Sequence, residues 1–245
     1  PEQLHRRGHL ILVENPRLVA EARRQIAGFA EHGIAAEWLE PAAVAERIPG
    51  IIANSGAIHV LDTAHVGDPL TLSRGLLQAF VAAGGTVLRD EVTGIERRGD
   101  NQLYLRLHGR DIATQRVVIA AGAWSRPLAA QTGFDVPLDT ERGYHVTIRG
   151  WRGGLELAVA SLDRMTIMTP LDCGLRMTGF VELGGLTLPP DPRRPARLHG
   201  HLSALLPGAP TEGREEWMGF RPSLPDHLPV IGSCPDDDRI CYAFG

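Results

Sequence analysis

The sequence predicts a mixed α/β protein in which two parts of different character interleave along 245 residues. Between about residues 66 and 132, helix and strand patterns follow one another in an order typical of half of a nucleotide-binding α/β domain. From about residue 136 to 220, short apolar or alternating runs separated by glycine and proline predict a second, largely antiparallel sheet. Because the two patterns interleave, we expect the chain to cross between the two parts at least twice.

The first 60 residues predict three strands and two helices. HLILV, at residues 9–13, has the composition of a short buried strand. Residues 16–32 have the apolar spacing of an amphipathic helix, which Pro16 opens and Gly33 closes. The strand AAEWL, the short helix EPAAVAERIPG and the strand GAIHV follow in that order.

A well-marked helix lies within VGDPLTLSRGLLQAFVAAGG, residues 66–85. Asp68 is placed to cap it, Pro69 suits the first helical position, and Gly84-Gly85 end it. The next runs predict a strand at TVLRD, a hairpin around residues 99–101, a strand at RVVIAAGA and a helix over residues 125–132.

The region after residue 136 is dominated by strand patterns. They are PLDTERGYHVTI, LELAVAS, RMTIMTP, GLRMTGFVEL and EEWMGF. One helix interrupts them at PRRPARLHGHLSALLP. The tail HLPVIGSCPDDDRICYAF predicts two short buried strands around an acidic turn.

Composition excludes several classes of protein. The net charge is −4, so no basic field favours binding to nucleic acid or to an anionic membrane. No apolar run approaches the roughly 18 residues of a membrane-spanning helix. Cys173, Cys234 and Cys241 are an odd number without CxxC spacing, which favours a reducing, cytoplasmic setting over disulfides or zinc. The ten histidines are interpreted as solvated or structural rather than as metal ligands.

Two stretches are candidates for a ligand-binding site, and each also has a purely structural interpretation. No GxGxxG fingerprint occurs, so the small residues of VVIAAGAWS fit either a bound ligand or close packing of a helix on a buried strand. In WMGFRPSLPDHLPVIG, Arg221 stands between apolar residues and three prolines. An arginine in an apolar setting needs an anion, which is either a bound carboxylate or an internal acidic residue.

Four stretches, taken in order, resemble the FAD-dependent D-amino-acid oxidase and dehydrogenase superfamily. They are HVGDPLTLSRGLLQAFVAAGGTVLRDEVTGI, RVVIAAGAWSRPL, VPLDTERGYHVTI and GFRPSLPDHLPVIG. Together they extend along nearly the whole chain. They are most similar to the bacterial D-amino-acid dehydrogenase branch and its glycine-oxidase-like relatives.

The resemblance implies a partial, Rossmann-like FAD-binding domain interleaved with a mostly antiparallel substrate-binding domain. Residues 61–135 and 221–245 would belong to the FAD domain, and residues 1–60 and 136–220 to the substrate domain. The fingerprint βαβ unit is expected before Pro1, and the last flavin loop after Gly245. We therefore expect an internal fragment that does not hold FAD by itself.

The resemblance also assigns cofactor residues. Ala121 and Gly122 would be small because the ribityl-diphosphate side of the flavin passes close to their backbone. Trp124 would start the helix beside it, and Val92 would offer its backbone to the adenine ring. Gly232, in the last of the four stretches, completes the predicted FAD contacts.

Substrate residues follow from the same resemblance. Arg221 would hold the substrate carboxylate while a hydride leaves the α-carbon for the flavin. Tyr144, His145 and Thr166 are candidate polar contacts, but adjacent strand residues point to opposite faces, so at most one of Tyr144 and His145 faces the pocket, with Tyr144 slightly favoured. Met165 and Met168 fit either the side-chain wall or plain core packing, and Arg142 fits a structural ion pair with Glu141 or Asp139.

The implied activity is the oxidative deamination of small D-amino acids with FAD. A respiratory electron acceptor, and hence peripheral attachment to the inner membrane, is compatible with it. The alternatives are a glycine- or sarcosine-type amine oxidase that uses oxygen, and a non-catalytic substrate-binding or assembly subunit. An unrelated α+β binding protein would need the order of the four stretches to be coincidence. Neither the amino acid nor the oligomeric state follows from the sequence.

Overall fold

A computed structural model describes residues 3–99 and 102–245, which divide into two compact units built from discontinuous segments. The first unit comprises Pro1–Ala83, Tyr144–Phe180 and Pro190–Met218. The second comprises Gly84–Gly143, Val181–Pro189 and Gly219–Gly245. The chain therefore passes between the units repeatedly.

The helices of the described residues follow the predicted start and stop signals. They are Val19–Glu31 (α1), Pro41–Arg47 (α2), Pro69–Ala82 (α3), Ser125–Ala130 (α4) and Arg193–Leu205 (α5). At the start of α3, the Asp68 carboxylate accepts a hydrogen bond from the backbone N–H of Leu70 at 3.0 Å, as the sequence predicts. None of the described helices combines the length and the apolar character that crossing a membrane requires.

The strands are numbered in chain order. They are Leu4–His5 (β1), His9–Leu12 (β2), Ala36–Leu39 (β3), Ala57–Val60 (β4), His65–Val66 (β5), Gly94–Arg97 (β6), Leu103–Leu107 (β7), Arg110–Thr114 (β8), Val117–Ile119 (β9), Asp139–Arg149 (β10), Ala158–Ser161 (β11), Thr166–Leu171 (β12), Gly174–Leu183 (β13), Arg214–Ser223 (β14), Val230–Cys234 (β15) and Asp237–Phe244 (β16).

The largest sheet has eight strands in the order β14-β10-β13-β12-β11-β2-β4-β3. β2 and β11 pair in parallel, whereas the pairs β2–β4, β3–β4, β11–β12 and β12–β13 are antiparallel. Strands from the start of the chain thus continue a sheet formed by strands after residue 139. The mixed α/β fold class and the predominance of antiparallel pairing agree with the sequence prediction.

The core of the first unit lies against one face of this sheet. On β10, Tyr144, Val146 and Ile148 are buried in it, because alternate residues of a strand point to the same side. Leu198 and Leu202, one turn apart on α5, pack into the same cluster. The side chains of the residues between these positions on β10 point to the opposite face of the sheet.

The second unit contains two three-stranded sheets. In one, β16 pairs with β15 antiparallel and with β9 in parallel; in the other, β6, β7 and β8 form an antiparallel meander. The Asp237 carboxylate of β16 joins the two sheets, because it accepts hydrogen bonds from Arg97 of β6 at 2.9 Å and from Arg239. These two arginines hold the pKa of Asp237 far below its usual range.

Two local predictions differ from the structure. TVLRD, residues 86–90, is not a strand but an exposed connection, because its backbone pairs with no described strand and its Val87 and Leu88 are exposed. The predicted hairpin has a third strand, β8. The turn that was expected at residues 99–101 includes residues 100 and 101, which lie outside the described part of the chain.

The bounds of the two units also differ from the predicted domain segments. The predicted segments change at about residues 61, 136 and 221, whereas the units exchange after residues 83, 143, 180, 189 and 218. Helix α3 consequently lies in the first unit, although the prediction grouped it with the FAD segment. The assignment of one unit to FAD binding and of the other to substrate binding stays a prediction.

Candidate functional site

The second unit has a cleft of about 830 Å³ beside β9, within the volume range of small-molecule sites. Its lining residues come from the connection before β6, from β6 and β7, from β9 and the turn after it, and from α4. They are Asp90, Glu91, Val92, Thr93, Ile95, Leu105, Val117, Val118, Ile119, Ala120, Ala121, Trp124, Pro127, Leu128 and Gln131. The lining is therefore mainly apolar, with an acidic end.

The turn after β9 shapes one wall of the cleft. Gly122 has φ +55°, which a residue with a Cβ rarely adopts, so glycine is needed there for the backbone path. The turn leaves the Trp124 ring 53% exposed at the cleft, edge-on to the Phe220 ring at 5.5 Å. The neighbouring Ser125 is fully buried, and its hydroxyl has no hydrogen-bond partner among the described residues.

Three of the five predicted FAD residues line this cleft: Val92, Ala121 and Trp124. Gly122 lies in the turn between the last two. Gly232 is exposed on β15 and is not among the cleft residues. No atom would come within 4 Å of a Cβ at Gly232, so the described residues give no steric reason for glycine at that position.

The cleft fits the ring parts of FAD better than its diphosphate. Its apolar walls and the exposed Trp124 ring suit a flat aromatic group. The lining residues contribute no positive charge to a diphosphate; Asp90 brings a negative one and pairs with Arg110. The Gln131 side chain is already hydrogen-bonded to the backbone of Ile95 and Thr93. Donors for phosphate must therefore come from elsewhere.

Arg221 is a free cation near the end of β14. Its side chain is exposed, and among residues 3–99 and 102–245 it has neither a hydrogen bond nor an ion pair. The apolar setting expected for Arg221 is therefore wrong, and none of the described acidic residues is the internal partner that the alternative required. The Phe220 side chain points to the face of β14 that contacts Trp124. Because adjacent residues of a strand point to opposite faces, the Arg221 side chain points to the other face.

Tyr144 and His145 separate to opposite faces of β10, as the alternation predicts. Tyr144 is 1% exposed in the core, and its hydroxyl accepts a hydrogen bond from the backbone N–H of Asp191 at 3.0 Å. His145 is half-buried on the other face, where its ring stacks on Trp217 at 4.9 Å. The slight preference for Tyr144 as the pocket residue does not match this geometry, because its side chain is committed to the core.

Burial and the neighbouring Arg176 guanidinium lower the pKa of His145 from 6.5 to about 4. The fold therefore favours the neutral imidazole. The unfolded chain binds the proton more tightly, so the stability that His145 contributes is fully present above pH 6.5 and is lost as the pH falls towards 4.

We expect the wild type to lose about 1–2 kcal/mol more unfolding free energy between pH 7 and pH 5 than His145→Phe, after allowance for partial exposure. Phenylalanine keeps the stack on Trp217 and cannot titrate. Urea unfolding at the two pH values measures the difference. Equal pH dependence in the two proteins would contradict the lowered pKa.

Thr166 and the two methionines of RMTIMTP have different environments. Thr166 is 4% exposed, and its Oγ1 has no partner among the described residues. It shares a strand face with Met168, which is fully buried in the core, so the core-packing alternative is correct for Met168. Met165 precedes the strand and is 74% exposed, with φ +53°. A substrate role for Thr166 stays a prediction.

Arg142 is structural, with partners other than those predicted. It is fully buried; its Nε lies 3.2 Å from a Glu182 carboxylate oxygen, and its guanidinium donates to the carbonyls of Leu188 and Pro189 at 2.8 Å. Glu141 and Asp139 are therefore not its partners. A Cβ at Gly184 would lie 3.0 Å from the Arg142 side chain, so glycine permits this close approach.

Arg176 and Trp217 lie on the same face of the sheet as His145, and neither was predicted as a site residue from the sequence. Arg176 lies between the core residues Leu175 and Met177, and Trp217 precedes Met218, which packs against the same core. The strand alternation of GLRMTGF and EEWMGF was the available signal.

Comparison with known proteins supplies the family. The model of the DAO family, FAD dependent oxidoreductases, matches residues 2–245. A D-amino-acid oxidase of Bradyrhizobium diazoefficiens is 33% identical over 195 residues, which are 78% of this chain and 46% of that protein.

Solved structures share the fold. Glycine oxidase from Geobacillus kaustophilus superposes with a TM-score of 0.88 at 23% identity, covering 99% of this chain and 66% of that one. L-proline dehydrogenase from P. horikoshii superposes with a TM-score of 0.82 at 20% identity, covering 99% and 67%. The chain thus spans just under half of the curated relative and about two thirds of these solved structures. It belongs to the DAO family of FAD-dependent oxidoreductases.

Proposed function

We propose that the protein containing this chain oxidatively deaminates D-amino acids with FAD as cofactor. The observation that carries the proposal is the free guanidinium of Arg221, in a chain 33% identical to a D-amino-acid oxidase. An arginine without an internal partner is available to an external anion, and its planar fork matches a carboxylate. Every amino acid offers that carboxylate.

Arg221 acts by orientation in this proposal. Two parallel N–H···O bonds fix the carboxylate of the substrate, and with it the direction of the α-carbon. FAD, when bound, supplies the redox chemistry by accepting two electrons from the substrate. The protein therefore needs position and electrostatics at this site rather than a strong acid or base.

The cleft residues would hold part of the cofactor. We propose that Val92, Ala121 and Trp124 contact the rings of FAD, since they line the cleft. Gly122 would act indirectly, through the backbone turn that leaves Trp124 exposed. The proposed contact of Gly232 with FAD rests on its place in the stretch GFRPSLPDHLPVIG alone, since the described residues give no steric reason for glycine there.

Of the other predicted substrate residues, His145 retains a half-buried ring that a ligand can reach. Tyr144 and Thr166 point toward the core and are less suited to that role. The electron acceptor is a separate question, because relatives of the same fold include both oxidases and a dehydrogenase.

Turnover by the complete protein tests the proposal. We expect it to purify yellow and to oxidise D-amino acids in preference to L-amino acids, glycine and sarcosine. Peroxide formed in air would identify an oxidase; reduction of an artificial acceptor without peroxide would identify a dehydrogenase. A protein that turns over only glycine and sarcosine would contradict the D-amino-acid substrate, and one that stays colourless with added FAD would exclude the flavoenzyme.

A further inference from the structure

One face of the eight-stranded sheet carries a group of polar and aromatic side chains. We call it the polar face and define it by His145 and Thr147 on β10, Arg176 on β13 and Trp217 on β14. These strands are neighbours in the order β14-β10-β13. The neighbours of His145, Thr147 and Arg176 in sequence point to the opposite side, into the core of the first unit, and so does Met218, which follows Trp217.

Arg176 is a half-buried cation whose guanidinium is largely unused. Its Nε lies 3.3 Å from the hydroxyl oxygen of Thr147, a residue 2% exposed. Among the residues that the structure describes, Arg176 has no ion pair. A partly desolvated charge without a counterion is unfavourable, so this guanidinium is suited to an incoming anion.

The acidic groups around the polar face are already engaged. Glu215 forms an ion pair with Arg149. Asp68 interacts electrostatically with Arg176, but its carboxylate already accepts hydrogen bonds from the Thr71 hydroxyl and the Leu70 N–H. Neither carboxylate lies within 4 Å of the Arg176 guanidinium nitrogens. The positive charge of Arg176 is therefore not neutralised by direct contact.

The aromatic pair beside Arg176 completes the setting. His145 stacks on Trp217 with the rings 20° from parallel, and the Trp217 ring is 57% exposed. His145 carries no charge at neutral pH, because burial and Arg176 lower its pKa to about 4. The polar face thus presents one guanidinium fork next to a flat apolar surface.

We propose that the polar face is a carboxylate-binding site that selects amine substrates with an acidic side chain, such as D-aspartate and D-glutamate. The Arg176 fork binds the side-chain carboxylate, and the Trp217 ring covers its methylene carbons. Thr147 is a positioning residue that holds the guanidinium through Nε. The inference rests on the proposed function and names its substrate class.

Substrate selectivity of the complete, FAD-loaded protein tests the site. We expect Arg176→Met to raise the KM for D-aspartate about thirtyfold or more while the KM for D-alanine changes less than about twofold. Arg176→Lys should recover part of the loss, because an ammonium keeps the charge without the fork. Thr147→Val should raise the KM for D-aspartate by a smaller factor and leave kcat unchanged.

Arg7→Met is the matched control, because Arg7 belongs to the same unit but is exposed, is paired with Glu156 and lies outside the polar face. It should leave the selectivity between D-aspartate and D-alanine unchanged. If Arg176→Met lowers the melting temperature strongly, Arg176→Lys and Thr147→Val still report on the site. Equal losses on D-aspartate and D-alanine would overturn the proposal and assign Arg176 to a contact that all substrates share.

A binding measurement separates this inference from the proposed function. Calorimetric titration with succinate needs no turnover. Arg176→Met should raise the dissociation constant of succinate at least about tenfold, and Arg7→Met, the control, should leave it unchanged. If no D-amino acid is oxidised but this difference holds, the proposed function fails and the carboxylate site stands. If D-alanine is oxidised and succinate binding does not depend on Arg176, the site fails and the function stands.

Discussion

Arg221→Ala is expected to raise the KM for D-amino acids about thirtyfold, the effect of losing about 2 kcal/mol of carboxylate binding. We take the lower end of the range for charged contacts because the Arg221 side chain is exposed. The guanidinium has no partner among residues 3–99 and 102–245, so its removal unpairs none of the described acidic residues and should not unfold the protein. Steady-state kinetics with an artificial electron acceptor measure the change.

Two comparisons make the Arg221 test specific. An amine analogue without the carboxylate should be a poor substrate for the wild type and nearly indifferent to Arg221→Ala. Arg126→Ala removes another exposed arginine, one that pairs with Asp135, and should leave the KM unchanged. An Arg221→Ala protein with a wild-type KM would show that the carboxylate is held elsewhere.

Arg142→Met is expected to lower the unfolding free energy by about 3–5 kcal/mol. The variant fills the volume of the arginine stem but leaves the Glu182 carboxylate without its buried cation. It also removes the donors from the carbonyls of Leu188 and Pro189. The Arg142 side chain is fully buried and the Glu182 side chain is 19% exposed, so water replaces only part of the lost contacts.

Urea unfolding of Arg142→Met and Glu182→Gln measures the contribution. Glu182→Gln should lose less stability. Arg142 keeps its two carbonyl acceptors, and the neutral amide oxygen of glutamine takes the place of the carboxylate. Arg149→Met, at an exposed arginine, should change stability far less than Arg142→Met does. A loss of the same small size in Arg142→Met would contradict a buried structural role.

The elements of the fold that local signals encode were predictable. The Asp68-Pro69 pair fixes the start of α3, and the alternation of GYHVTI fixes which side of β10 meets the core. TVLRD has strand composition but no pairing partner, and composition alone does not show whether a partner exists. The units exchange at residues whose position depends on long-range contacts, which a single sequence does not display.

The part of the candidate site that lies in a recognisable sequence motif was predictable. RVVIAAGAWS led to Ala121 and Trp124, and both line the cleft. Arg142 was predicted to pair with an acidic neighbour in sequence, but its partners lie 40 residues or more along the chain. Whether Arg221 and Arg176 form ion pairs likewise depends on which distant carboxylates the fold brings close to them. Among the described residues, no carboxylate lies within ion-pair distance of either arginine.

Anaerobic reduction of the bound flavin by a D-amino acid tests the central claim most directly. The complete protein, loaded with FAD and freed of oxygen, is mixed with D-aspartate, D-alanine or the corresponding L-amino acids while the absorbance at about 450 nm, where oxidised flavins absorb, is followed. We predict bleaching with the D-amino acids and a stable spectrum with the L-amino acids. A spectrum that stays unchanged with every D-amino acid, or bleaches only with the L-amino acids, would contradict the account.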